Sequence, residues 1–167
     1  MSQNHAEAIG RMCIAFSSLE GQLKFMVGKL VGIDQIVGQI ITAELSFRNI
    51  LNLLGSLYKH RTNDNDFRKK VDDLLKNISN LEQNRNSLIH STYGLTKDPE
   101  TIARFKNTAR MKHGLKNNFD IITIEQIDHL VVEIENANSE VINLFLEYAE
   151  KNDIIDRVKQ TELNSDV

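Results

Sequence analysis

The sequence predicts an all-α fold: an up-and-down four-helix bundle with a short β-hairpin inserted before the last helix. Three observations lead there. Apolar residues recur at steps of three and four over four long stretches. The one proline, Pro99, falls in a polar break, Lys97-Asp98-Pro99-Glu100, after the third of them. The segment between that break and residue 123 does not carry the helical period.

Residues 5–31 read as the first helix, with Ile9, Met12, Cys13, Phe16, Leu19, Leu23, Met26, Val27 and Leu30 along one side. Gly32 ends it, and Asp34 is placed to cap the next. The second helix, 35–60, carries Ile36, Ile40, Ala43, Phe47, Ile50, Leu51, Leu54, Leu57 and Tyr58. Thr62-Asn63-Asp64-Asn65 is a turn with capping potential. The third helix, 65–92, has the stripe Phe67, Val71, Leu74, Ile78, Leu81, Leu88. Residues 102–110 and 117–123 read as two short strands joined through Lys112-His113-Gly114. Thr123-Ile124-Glu125-Gln126 fits a capping box, with Ile122 and Ile127 as a hydrophobic staple, and opens the last helix, 124–150. Beyond it, 153–167 loses apolar density and reads as a disordered tail, which leaves one domain over 1–152.

Composition narrows the function classes. At 167 residues the chain is long enough to bury a core without staples. No apolar run approaches the length of a transmembrane helix, and the first seven residues lack the basic and apolar blocks of a leader. Cys13, the only cysteine, lies on an apolar helical face and reads as a small buried hydrophobe. A reducing, cytoplasmic setting with no membrane partner is the expectation. A net charge of −3 argues against general DNA binding. The five histidines show no ligand spacing, so no metal and no cofactor is expected. No phosphate-cradling glycine loop or nucleophile elbow is present.

The chemistry concentrates in Arg85-Asn86-Ser87-Leu88-Ile89-His90, near the end of the third helix. Arg85 takes the place in the apolar stripe where another leucine is expected. A second line, Ser79, Glu82, Asn86, His90, Tyr93, keeps the same spacing and is polar throughout. Asn86 and His90, four apart, project together. Arg85 lies about 140° around the axis from His90, within reach of the same pocket by its long stem. An arginine and a histidine near a helix C-terminus also serve simply to cap carbonyls.

Arg-Asn-x-x-x-His in a small helical chain resembles the HEPN family (higher eukaryotes and prokaryotes nucleotide-binding). Its ribonuclease members carry Arg-x(4–6)-His late in their third or fourth helix, often with Asn after the Arg. Arg85, Asn86 and His90 match that pattern, His90-Ser91-Thr92-Tyr93-Gly94 resembles the family's continuation, and the likeness extends over about residues 5–150. The subgroup regulated through a tyrosine two positions after the His is not matched, since Thr92 stands there. The resemblance implies a metal-independent endoribonuclease acting on single-stranded RNA as a toxin or antiviral effector, with an antitoxin or defence protein as a further partner. It also implies a homodimer through the motif helix, which would bring two copies of Arg85 and His90 into one cleft.

These residue types suit that reaction. The histidine pKa lies near neutrality, as proton transfer requires. Arginine binds phosphate through a planar, permanently charged fork. Asn86 is placed to hold the imidazole or the phosphate. Tyr93 is either a rim aromatic for base stacking or a core anchor. Glu20 is either a partner for Arg85 or the hairpin, or simply exposed. Arg104, Lys106, Arg110, Lys112 and Lys116 form a basic block that is either a phosphate-tracking surface or an ordinary solvated hairpin. The rival reading of the whole chain is a catalytically silent helical dimer that binds RNA, a nucleotide or a partner protein.

Overall fold

The first apolar stripe folds into α1 (Gln3–Val31), and its Met12, Phe16, Leu19, Leu23 and Met26 are buried. The computed structural model describes residues 3–110 and 114–152. The predicted tail, 153–167, lies outside them. Gly32, at φ 77°, closes α1 in the left-handed region that glycine tolerates. Asp34 then caps α2 (Gln35–Ala43), its carboxylate accepting from the Ile36 and Val37 N–H groups at 2.8 and 3.3 Å.

Here the expectation of one helix over 35–60 fails. The chain breaks at residues 44–46, and Ser46 caps a separate α3 (Phe47–Arg61) by accepting from Asn49 N–H at 3.3 Å. Ile36 and Ile40, expected in the core, are 67% and 66% exposed. The physical reason is the opposite side of α2. Gly38 and Thr42 face α1, and a Cβ built on Gly38 would stand 3.2 Å from the Gly28 Cα. Close backbone approach therefore selects the glycine face, and the isoleucine face is left outward.

α4 (Asn65–Ile89) starts at Asp64, whose side chain accepts from Phe67 N–H at 3.0 Å. It ends before residue 92: His90 is its C-cap, with φ −96° and ψ 29°, and its N–H donates to the Asn86 carbonyl at 3.1 Å. The chain is then taken up by a strand that the periodicity does not predict, β1 (Thr92–Leu95). β1 pairs antiparallel with β2 (Thr101–Arg110), which pairs antiparallel with β3 (Gly114–Thr123). The insertion is thus a three-stranded sheet in the order β1-β2-β3 rather than a hairpin, and β3 starts earlier than 117. Thr123 closes β3 and opens α5 (Ile124–Lys151) through the expected capping box: its hydroxyl accepts from Gln126 N–H, and its own N–H donates to the Gln126 side chain.

Mainly α is the class, with five helices among the described residues. The extra break adds a reversal of direction. Arg11 on α1 meets Asp128 early in α5 at 2.6 Å, whereas Leu23 and Met26 share a small cavity with Val141 and Leu144 late in α5, so the two helices run parallel. Four alternating helices would have placed them antiparallel. α1 runs through the centre and packs on α3, α4 and α5. The core between them is filled by Met12, Leu19, Leu54, Ile78 and Ile134, among others. No described helix is long and apolar enough to cross a membrane.

Candidate functional site

Arg85 interrupts the apolar face of α4, and the structure shows what it finds there. Its guanidinium carbon sits 5.2 Å from the Phe16 ring centroid on α1, and Phe16 itself packs on Phe47 at the start of α3 with centroids 4.8 Å apart. Nη1 donates to Asn86 Oδ1 at 2.9 Å, and Asn86 Nδ2 reaches Glu82 Oε1 at 3.5 Å. Glu82, Asn86 and Arg85 therefore form one half-buried polar chain on the last turns of α4. Two features of Arg85 stand out. Among the described residues no carboxylate forms an ion pair with it. Its Nε is buried without a hydrogen-bond partner, a situation that costs about 1–3 kcal/mol in a folded protein.

His90 stands about 7.5 Å further along the helix axis, at the cap rather than inside the helix, and it is exposed. Only its backbone is held; among the described residues the imidazole has no hydrogen-bond partner. The polar line Ser79, Glu82, Asn86, His90 survives to the cap. Tyr93 does not belong to it, because residue 93 lies in β1. The Tyr93 hydroxyl donates to the Leu88 carbonyl at 2.5 Å, so it anchors the strand to an unpaired carbonyl of the α4 C-terminus. Burial pushes the Tyr93 phenol above its ordinary pKa, with Arg104 opposing and Asp120 reinforcing the shift.

Other expected contacts are corrected. Glu20 pairs with neither Arg85 nor the sheet; it takes Lys24, one turn on in α1, at 2.7 Å. Arg104 is not a free phosphate ligand. It is gripped by Asp120 through two nitrogens and donates from Nη1 to Ser87 Oγ on α4 at 3.2 Å. Along the sequence the basic block is free of acids only as far as residue 119, and the register places Asp120 directly opposite Arg104. Lys106 lies two residues along β2 from Arg104, hence on the same sheet face, and is half-buried. The side chain of Arg110 lies outside the described residues, and so does Lys112 altogether.

Comparison with family models, with curated proteins and with solved structures returns no match. The likeness to HEPN ribonucleases therefore stands on the motif residues alone.

Phe16, Ser87 and Asp120 are the site residues that sequence reasoning missed. Phe16 is one apolar position among many in α1, and nothing local marks it as the seat of a cation. Ser87 and Asp120 become visible only once the strand register is known. Among the described residues, no three His, Cys, Asp or Glu side chains converge as metal ligands would.

Proposed function

We propose that this chain is an endoribonuclease of the HEPN type, cleaving single-stranded RNA at a site composed by two copies that meet through α4. The observation that carries this reading is Arg85: a half-buried guanidinium with no carboxylate partner among the described residues and one orphaned donor, about a turn and a half before an exposed histidine. A permanent charge that no described carboxylate pairs with directly is suited to an anion that arrives later. In the reaction the 2′-oxygen forms a bond to phosphorus and the bond from phosphorus to the 5′-oxygen breaks, leaving a 2′,3′-cyclic phosphate. One His90 imidazole takes the 2′-proton and a second, protonated, supplies the 5′-oxygen, which is why a second copy is required. Arg85 stabilises the charge on the phosphorane oxygens. A role as a toxin or antiviral effector, with an antitoxin or defence partner, rests on the family resemblance alone.

The rival is a catalytically silent helical dimer that binds RNA, a nucleotide or a protein. One observation favours it: no described side chain orients the His90 imidazole. Incubating the purified protein with mixed RNA and EDTA, beside His90→Ala, separates the two. The ribonuclease reading expects cyclic-phosphate ends and a loss of at least about a hundredfold in the variant. Equal rates for the two proteins would leave only the binder.

A further inference from the structure

β3 is an outer strand of the sheet, and among the described residues no further strand pairs with its outer edge. Residues 114–121 are exposed throughout. By strand alternation Leu115, Phe119 and Ile121 share one face with Phe105, and these four are 68%, 61%, 55% and 43% exposed. The Phe105 and Phe119 rings touch, with centroids 5.0 Å apart. A long exposed edge with an apolar face is a template for another strand, and proteins rarely leave one open.

We propose that β3 pairs antiparallel with β3 of a second copy, about a two-fold axis normal to the sheet that passes beside Asn118. The sequence of the strand picks out both the occupant and the register. With Asn118 opposite its own copy, Lys116 falls opposite Asp120 of the second copy, and Leu115 falls opposite Ile121, each pair occurring twice by symmetry. No other two-fold register sets Lys116 against Asp120. An axis normal to the sheet also keeps the apolar faces of both copies on the same side. Each Phe119 then lies diagonal to the other, within aromatic reach, and the pairs of phenyl rings join into one row across the four inner strands of the six-stranded sheet. Asp120 can accept the second cation because its side chain is still 47% exposed beside Arg104.

This contact is independent of the ribonuclease reading. His90 precedes β1, at the opposite edge, so pairing through β3 holds the two His90 residues about five strand spacings apart, near 24 Å. The two contacts use different edges and are tested separately.

The test uses the full chain with Cys13→Ser, which removes the only cysteine, and Asn118→Cys. Opposed α-carbons in an antiparallel pair lie within disulfide range. Mild oxidation is expected to give a disulfide-linked dimer at Asn118→Cys and none at Asn107→Cys, a position on the inner strand. In sedimentation the wild type is expected to exceed its 19.1 kDa monomer, at twice that mass through β3 alone and at higher multiples where the α4 contact also forms. Lys116→Glu, which faces Asp120 with a like charge, is expected to raise the Kd of the β3 contact by about tenfold. Equal cross-linking at 107 and 118, or a dimer indifferent to Lys116→Glu, would overturn the register. A monomer at about 100 μM, a concentration at which any dimer with a Kd of about that value or tighter is already well populated, would overturn the pairing.

Discussion

Replacing Arg85 with leucine separates a residue kept for function from one kept for folding. Three contributions set the stability change. The Nη1 hydrogen bond to Asn86 is lost, at about 0.5–1.5 kcal/mol. The contact of the guanidinium with the Phe16 ring is lost, at about 0.5–2 kcal/mol. Against these, the buried, unpartnered Nε disappears, which returns about 1–3 kcal/mol. Leucine also restores the apolar stripe between Leu81 and Leu88, two buried neighbours on the same face of α4. The opposing contributions nearly cancel, so Arg85→Leu is expected to keep its stability within about 1 kcal/mol of the wild type. RNA cleavage, in contrast, is expected to fall at least about a hundredfold. Urea denaturation followed by circular dichroism gives the first quantity, provided that the two proteins share one m-value. A loss above about 2–3 kcal/mol, the usual cost of breaking a buried network, would refute the reasoning, since Arg85 would then be holding the helices together.

Ser46→Ala removes the cap that starts α3 and is expected to cost about 1 kcal/mol, read as a fall in thermal midpoint of about 2–4 °C; no change would mean that the 44–46 break does not depend on Ser46. Tyr58→Phe deletes a buried hydroxyl without a partner and is expected to be neutral or to stabilise by up to about 1 kcal/mol; a clear loss would reveal a partner for that hydroxyl. The Asp64 carboxyl is held below its ordinary pKa first by the Phe67 N–H and then by Lys151, and Glu147 is held down first by Lys151 and then by Lys70. Depressed folded pKa values give stability that is present above the unfolded carboxylate range and is lost as the pH falls through the folded values. Lys151, raised first by Glu147, has the opposite sign, its contribution being lost as the pH rises past that of a free lysine. Lys151→Met is therefore expected to flatten the acid limb of a plot of thermal midpoint against pH, and coincident acid limbs would contradict these pairings.

Element type was legible wherever a long periodic stripe ran without interruption. α1, α4 and α5 appear close to their expected ends because their stripes are long and their caps are local, as with Asp64 and the Thr123–Gln126 box. The break at 44–46 was hidden because Ile36, Ile40, Phe47 and Ile50 keep a helical rhythm across it, with no glycine or proline at the break itself to interrupt them. What divides the segment is the touch of Gly38 on Gly28, a contact between helices that periodicity along one chain does not encode. β1 was hidden for a similar reason: four residues pair only because β2 is already there to pair with. In the candidate site, Arg85 is legible from the gap in the stripe and Asn86 from the polar line beside it, and the structure joins them directly. The pairing of Arg104 with Asp120 was not legible, because charge counted along the sequence does not show a strand partner sixteen residues away.

The short helix α2 has a consequence for how the molecule moves. It has nine residues, fewer than the roughly 12–15 that an isolated helix needs to persist in water. Only Gly38 and Thr42 are buried, so almost no apolar surface is gained when α2 lies down on α1. Non-helical residues flank it at both ends, at 32–34 and at 44–46, where backbone rotation is cheapest. Lifting α2 away therefore costs far less than unfolding the chain, and it leaves the contacts of α1 with α3, α4 and α5 in place. α2 is the weakest cooperative unit among the helices, and its amides should exchange with solvent through this local opening long before those of α1.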